Sequence, residues 1–230
     1  MNELADGLAI VHADDVAPSP WKNGGGVTRE LLRVPPLQQA TGSAADDWLL
    51  RISLADIAAD GPFSPFDGVT RWFAVLSGHG VDLRWPLADG GVMRKLVTPR
   101  SEPVEFDGAC APDCRLIDGP TRDLNIMVRR TAARASLRAG YVDDGEEYLG
   151  YSTSFGVFVL EPLMLHGATR QPLALPARTL VWCGARTSET RAWGLEEPDE
   201  AASSSRDTPA AGDLRLRTPC AYWIRLISPA

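Results

Sequence analysis

One stretch of the chain has an unusual composition: Pro20-Trp21-Lys22-Asn23-Gly24-Gly25-Gly26-Val27-Thr28-Arg29-Glu30. An aromatic ring, a cation and an amide precede three glycines, which allow the backbone a positive φ or a close approach to a ligand. If the chain is extended here, Lys22, Thr28 and Glu30 share a polar face, and Val27 and Leu31 point the other way. The stretch therefore predicts a glycine-rich segment that leads into a strand with one polar face.

A helix that opens at Thr28 behind a phosphate-binding loop is the alternative for this stretch. Such a loop needs a Gly-Lys-Ser/Thr ending, or a G-x-G-x-x-G motif after a clear strand. Neither pattern is present, because Lys22 precedes the glycines, and the run ends at Pro35-Pro36. We therefore expect a strand.

The segments that follow also have the alternation of strands. Between Trp48 and Ile57, apolar residues alternate with Arg51 and Ser53, which share the opposite face. A strong strand pattern at Thr70–Leu76 is followed by the turn Ser77-Gly78-His79-Gly80 and a return strand at Val81–Trp85. We expect these two strands to pair as a hairpin.

A third block, Gly119–Arg130, places Asp123 and Asn125 on one face of a strand whose other face is apolar. Short strands punctuated by glycine and proline favour an all-β sandwich or barrel. Further strands are expected at residues 8–11 (an edge strand), 93–97, 114–117, 156–160, 162–166, 179–183 and 221–227.

These blocks resemble the HutD/Ves family. The resemblance rests on Trp-Lys-Asn-Gly-Gly-Gly-x-Thr-Arg-Glu, on Trp48…Arg51-Ile52-Ser53…Gly61-Pro62-Phe63-Ser64, and on the Gly-Pro-x-Arg-Asp-Leu-Asn-x-Met stretch that begins at Gly119. It implies an all-β protein of cupin-type double-stranded β-helix barrels in a bicupin arrangement, linked to histidine utilisation. The expected halves are residues 1–130, which carry the motifs, and 131–230, with a flexible loop near 196–213 whose composition is poor in apolar residues.

Charge and cysteine content limit the classes of partner. The 230-residue chain has a formal net charge of −7 and a pI of about 5.0, which argues against nucleic acid or an anionic membrane. No apolar run approaches the roughly 20 residues of a membrane span, and no signal peptide is recognised. The chain has four cysteines, Cys110, Cys114, Cys183 and Cys220. Their number and spacing fit neither a disulfide scaffold nor the two closely spaced cysteine pairs of a zinc site, so a reduced, cytoplasmic protein is expected. The sequence leaves open whether the protein forms a homodimer.

Metal-dependent and nucleophilic chemistry are poorly supported by the sequence. The three histidines, His12, His79 and His166, form no His-x-His pair, and imidazole is a common ligand for zinc, iron and nickel. A G-x-S-x-G nucleophile motif is absent. We therefore expect no metal and no cofactor.

The polar residues of the three blocks remain as the candidate site. Arginine and lysine would bind carboxylates, asparagine and serine would orient the ligand, and the glycines would offer backbone N–H groups. For any single residue, the alternative is that its side chain pairs with another polar or oppositely charged side chain inside the protein and binds no ligand. The predicted ligand-binding residues are Trp21, Lys22, Asn23, Gly24, Gly25, Thr28, Glu30, Arg51, Ser53, Arg71, Asp123 and Asn125.

Two functions follow from this set. The resemblance implies a regulatory protein that binds a small anionic metabolite and senses or buffers an intermediate of histidine catabolism, formylglutamate or urocanate. The alternative is a metal-free cupin enzyme of the isomerase, epimerase or lyase type, with Lys22 or Glu30 as acid or base. We favour binding without catalysis, because the His and Asp or Tyr pair of sugar epimerases cannot be identified.

Overall fold

Strands make up nearly all the regular structure of the chain in the computed structural model. The structure describes residues 2–3, 8–35, 48–142, 145–148, 153–184, 191–198 and 218–227. In chain order the strands are β1 (Asn2–Glu3), β2 (Leu8–His12), β3 (Ser19–Pro20), β4 (Gly26–Val34), β5 (Leu50–Ile57), β6 (Gly61–Pro62), β7 (Val69–Ser77), β8 (Val81–Pro86), β9 (Val92–Val97), β10 (Val104–Asp107), β11 (Asp113–Leu116), β12 (Thr121–Arg129), β13 (Arg134–Gly140), β14 (Gly145–Tyr148), β15 (Thr153–Val159), β16 (Leu163–His166), β17 (Leu173–Leu175), β18 (Thr179–Cys183), β19 (Arg191–Glu196) and β20 (Ala221–Ile227).

Helix is almost absent from the described residues. One short 3-10 helix, Ala13–Asp15, precedes the glycine-rich stretch. No helix in the described ranges has the length and apolar character needed to cross a bilayer. The all-β prediction is therefore confirmed, and Thr28 to Arg33 lie in β4 as a strand.

The chain divides into two compact units. The motif unit comprises Ala13–Ser136, and the flanking unit comprises Met1–His12 with Leu137–Ser228. This division differs from the expected halves at the N-terminus, because residues 8–12 pair with β18 and so cluster with the C-terminal part. β2 is also not an edge strand, since β1 pairs with its other side. The loop expected near 196–213 lies mostly outside the described residues.

The motif unit contains two antiparallel sheets. The larger sheet has the order β10-β7-β12-β5-β4-β3, and the smaller has the order β6-β11-β8-β9. Phe73 and Val75 of the larger sheet form one apolar cluster with Val81, Leu83 and Trp85 of the smaller sheet. One face of the larger sheet thus packs against the smaller sheet, as in other two-layer β domains.

The flanking unit has the same two-sheet organisation. Its sheets have the orders β1-β2-β18-β15-β20-β13 and β14-β19-β16-β17. Val157 and Trp223 from the first sheet share a buried apolar cluster with Leu165 and Trp193 from the second. The six strands predicted at residues 93–97 and beyond all correspond to observed strands, namely β9, β11, β15, β16, β18 and β20.

The predicted hairpin of β7 and β8 is wrong. β7 pairs with β10 and β12, whereas β8 pairs with β9 and β11, so the chain changes sheet at the turn between them. Gly78 and Gly80 have φ values of 89° and 97°. A Cβ at Gly80 would lie 2.2 Å from the carbonyl oxygen of Val97. The turn needs glycine because the chain crosses close to another backbone, which alternation patterns do not reveal.

Gly26, at the start of β4, gives a test of the local packing. A Cβ there would lie 2.3 Å from the carbonyl oxygen of Asp56 and 3.2 Å from the ring of Trp21. We expect Gly26→Ala to lower the free energy of unfolding by about 3 kcal/mol, because neighbouring backbone must move. Urea unfolding would measure this loss.

Gly24→Ala is the matched control. Gly24 has a φ of 71°, but a Cβ added there would lie in open space, so alanine costs only about 1 kcal/mol of backbone strain. Equal losses for the two variants would contradict the close contact at Gly26.

Candidate functional site

A cleft of about 700 Å³ opens in the motif unit on the face of the larger sheet that also packs against the smaller sheet. Ten of the twelve predicted site residues line it: Trp21, Lys22, Asn23, Thr28, Glu30, Arg51, Ser53, Arg71, Asp123 and Asn125. The strand register explains this gathering, because Glu30, Ser53 and Asn125 lie opposite one another on β4, β5 and β12. The three sequence blocks thus meet in one place.

Gly24 and Gly25 do not line the cleft, and their expected role is not observed. The N–H of Gly24 donates to the carbonyl of Trp21 at 3.0 Å, and the N–H of Gly25 donates to Asn23 Oδ1 at 3.0 Å. Both donors are therefore used inside a tight turn. Residues 22–24 form this turn and are not extended, so the glycines position Trp21, Lys22 and Asn23 instead of offering N–H groups to a ligand.

Trp21 is fixed by the strand that follows the turn. Its Nε1–H donates to Thr28 Oγ1 at 2.7 Å, and its backbone N–H donates to the carbonyl of Gly26 at 2.9 Å. The absence of a side chain at Gly26 leaves room for the indole ring. The ring therefore forms a rigid apolar part of the cleft wall.

Nine lining residues were not predicted from the sequence. They supply mostly apolar surface and one further cation: Ser19, Pro20, Arg33, Ala55, Pro62, Phe63, Ser64, Phe66 and Met127. Arg33 was missed because of an irregularity in β4. Glu30 pairs with Ser53, but Leu32 pairs with Ile52, so Leu31 is an extra residue between two ladder positions. Such a bulge changes the alternation of faces, and Arg33 therefore shares the cleft face with Glu30.

Glu30, Arg33 and Arg51 form an ion cluster, here named the Glu30 triad. Arg33 Nε lies 2.8 Å from Glu30 Oε1 and Arg51 Nε lies 2.7 Å from Oε2. Burial alone would raise the pKa of Glu30, but the hydrogen bonds and positive charges of the two arginines outweigh it and lower that pKa. Glu30 is therefore ionised near neutral pH and committed to two cations, which makes it a poor general base.

Arg71 is held among aromatic rings at the bottom of the cleft. Its guanidinium carbon lies 5.0 Å from the ring centroid of Phe63, 5.8 Å from that of Phe66 and 5.2 Å from that of Phe106. Cation–π contact partly offsets the loss of hydration. Burial lowers the pKa of Arg71 to about 10, opposed by the nearby Asp123 charge, so Arg71 remains charged at neutral pH.

Asp123 is the least exposed titratable group that lines the cleft, with 2% of its surface exposed. Burial raises the pKa of its carboxyl to about 8; the positive charge of Arg71 opposes this shift, and the negative charge of Asp56 adds to it. Asp56 itself is ionised, because Arg122 and Arg29 bind it at 2.6 and 2.9 Å. Near neutral pH Asp123 is therefore mainly a carboxylic acid.

The described residues offer no cluster for a metal ion. No group of three or more His, Cys, Asp or Glu side chains with suitable placement occurs among them. His79 lies in the exposed turn after β7, where Nδ1 is 2.9 Å from the carbonyl oxygen of Asp118. The four cysteines, all within the described ranges, form no disulfide.

Two solved structures with a similar architecture define the fold class. HutD from Pseudomonas fluorescens SBW25 is 23% identical, with a TM-score of 0.69, over 97% of this chain and 100% of that chain. The bacterial pirin YhhW from Escherichia coli, solved as a nickel(II) complex, is 9% identical with a TM-score of 0.55, over 97% of this chain and 100% of that chain. At such identities the likeness concerns the fold, and the fold is of the cupin type.

The chain belongs to the HutD family, whose model matches residues 13–196. It is 36% identical over 131 residues to an uncharacterized 21.2 kDa protein in the hutC 3' region of Pseudomonas putida, which covers 57% of this chain and 63% of that protein. It is also 36% identical over 119 residues to Protein Ves of Citrobacter koseri, covering 51% of this chain and 56% of that protein. These matches span less than two thirds of either relative.

The protonation of Asp123 predicts how stability depends on pH. The pKa of Asp123 is about 8 in the folded state and about 3.9 in an unfolded chain. The unfolded state therefore releases a proton that the folded state keeps, so stability falls as pH rises from about 4 to about 8. We expect Asp123→Asn to remove this loss, which amounts to about 1.4 kcal/mol for each unit of pH in that range.

Thermal or urea unfolding of both proteins across this pH range would measure the difference. The gain from Asp123→Asn should grow up to about pH 8 and then level off. A difference that does not change with pH would show that Asp123 ionises as an ordinary exposed carboxyl does.

Proposed function

We propose that this chain is a HutD-type binding protein whose cleft takes a small anionic metabolite and so senses or buffers an intermediate of histidine catabolism. Formylglutamate and urocanate are the candidate ligands, because both carry carboxylates together with a polar nitrogen-containing group. The observation that carries the proposal is the excess of cations in the cleft. Lys22, Arg33, Arg51 and Arg71 line it with only two carboxyl groups, Glu30 and Asp123.

The geometry of the cations supports a carboxylate ligand. Within the described residues, Arg51 reaches Glu30 through Nε, and the terminal nitrogens of its guanidinium make no hydrogen bond to another described side chain. A guanidinium can bind a carboxylate through two parallel hydrogen bonds. Lys22 lines the same cleft and is exposed at the turn, where its flexible ammonium group adds charge without fixed geometry.

The size and apolar walls of the cleft suit a small molecule. Its volume of about 700 Å³ falls within the range of small-molecule pockets, which combine apolar walls with a few polar groups. Trp21, Phe63 and Phe66 supply the apolar walls. The link to histidine catabolism comes from the family, and the Pseudomonas putida relative is named for its place beside hutC.

The bicupin arrangement belongs to the same proposal. Each compact unit contains one six-stranded and one four-stranded antiparallel sheet around a shared apolar cluster. We infer two cupin-like halves, of which the motif unit is the binding half. Among the described residues, the cleft and all three sequence blocks belong to the motif unit.

For the enzyme alternative, Asp123 joins Lys22 as a candidate acid or base, whereas Glu30 becomes less suitable. Glu30 is ion-paired twice and its pKa is lowered, which counts against its use as a base. Proton-transfer chemistry is favoured by the burial of the Asp123 carboxyl on the cleft and by its raised pKa. Incubation of the protein with each candidate ligand, followed by proton NMR, would detect turnover.

Isothermal titration with formylglutamate, urocanate and glutamate tests the binding function. We expect formylglutamate or urocanate to bind, and Lys22→Gln to weaken that binding about tenfold, because one charge-assisted contact is lost. Lys95→Gln is the matched control, since Lys95 is an exposed lysine of the same unit outside the cleft. The proposed function would be overturned if neither formylglutamate nor urocanate binds, or if Lys22→Gln and Lys95→Gln change the affinity equally.

A further inference from the structure

Two buried polar atoms at the bottom of the cleft lack hydrogen-bond partners among the described residues. Arg71 Nε and Asn125 Oδ1 are buried without a hydrogen-bond partner. The carboxyl of Asp123 forms no hydrogen bond or ion pair with the described part of the chain, although only 2% of the residue is exposed. We name Arg71, Asp123 and Asn125 the cleft floor.

The cleft floor is formed by residues of two neighbouring strands, β7 and β12. Asp123 and Asn125 are two residues apart on β12, and Arg71 lies on β7, directly opposite Met127 of β12. All three residues line the cleft. Native proteins satisfy nearly all buried polar groups, and an unsatisfied one costs free energy. Two such atoms beside a buried carboxyl on one face of a cleft therefore indicate a ligand that completes them.

The floor has a definite hydrogen-bonding pattern. Arg71 Nε–H is a donor and Asn125 Oδ1 is an acceptor. The charged groups that act on Asp123 are Arg71 on β7 and Asp56 on β5. Asp123 in turn helps to raise the pKa of the buried Cys114 thiol on β11. Burial outweighs the attraction of Arg71, so Asp123 presents an O–H donor and a carbonyl acceptor near neutral pH.

This pattern matches a neutral group that has both a donor and an acceptor. An amide or a neutral imidazole offers one N–H and one acceptor atom, whereas a carboxylate is acceptor-only and leaves Asn125 Oδ1 without a donor. The ionised Glu30 triad is a more exposed part of the same cleft, where its two arginines suit a carboxylate. The more exposed triad and the buried floor of the cleft thus differ in chemistry.

We propose that the cleft floor is a subsite for a neutral amide or imidazole group of the ligand, and that Asp123, as a hydrogen-bond donor, is the residue that determines this specificity. The inference rests on the proposed function and deepens it. The carboxylates of the ligand bind at the Glu30 triad and Lys22, and the neutral group enters the floor. A further carboxylate in place of the neutral group leaves Asn125 Oδ1 without a donor, so we expect such a ligand to bind more weakly.

Two matched pairs of ligands test the charge preference by isothermal titration near pH 7. Butane-1,2,4-tricarboxylate is formylglutamate with CH2–COO⁻ in place of NH–CHO, and trans-glutaconate replaces the imidazole of urocanate with the same group. We expect the neutral member of at least one pair to bind at least about tenfold more tightly. Equal or tighter binding of the added carboxylate would overturn the subsite.

The role of Asp123 is tested by measuring how the affinity for the ligand that binds depends on pH. Wild-type affinity should fall about tenfold between about pH 7 and about pH 9, because only the protonated fraction of Asp123 is competent. Asp123→Asn keeps a neutral donor and should bind with little dependence on pH. Asp118→Asn, at a highly exposed carboxyl outside the cleft, should retain the wild-type profile. A wild-type affinity that does not change over this range would contradict the proposal.

A measurement without ligand separates this inference from the proposed function. If no member of either pair binds, the proposed ligands are wrong, and carbon-13 NMR of labelled aspartate carboxyls then decides the state of Asp123. A titration midpoint near 8, absent in Asp123→Asn, would support the donor role of Asp123. A midpoint below about 5 would show an ordinary ionised carboxylate and overturn the proposal.

Discussion

Glu30 binds two guanidinium groups at once, and the cleft depends on this arrangement. The bulge at Leu31 makes it possible, because it brings Arg33 to the same face of β4 as Glu30 while Leu31 and Leu32 are both buried. Arg51 reaches the same carboxylate from β5. One acidic side chain thus holds two cations at fixed positions, and the Glu30 triad keeps a net positive charge. This part of the cleft is therefore positive, although the protein as a whole is acidic.

Much of the fold and of the candidate site follows from alternation in the sequence. A strand with one polar and one apolar face requires its polar side chains to share a surface. Ser53 could therefore be placed on the same face as Arg51, and Asn125 on the same face as Asp123, before any contact was known. The three blocks converge because their strands are neighbours in one sheet, in the order β12-β5-β4. The resemblance to HutD supplied the expectation that these blocks act together.

The features that sequence could not provide depend on contacts between distant residues. The bulge that repositions Arg33 is visible only in the pairing with β5, and the change of sheet after Ser77 only in the partners of β8. The ring contacts of Arg71 join residues from three separate segments. Asp123 looks like any strand carboxylate in the sequence, and its raised pKa comes from burial.

The unpartnered cleft floor also has a consequence for how this protein can change. A floor of apolar residues would remove two unpartnered buried polar atoms and a buried carboxyl, and such replacements often make a protein more stable. Arg71 and Asp123 therefore lie where selection for thermal robustness and selection for recognition act in opposite directions. Stabilised relatives obtained by laboratory evolution without a ligand should lose Asp123 and Asn125 first, because Arg71 also donates to the carbonyl of Ser64 and contacts three aromatic rings.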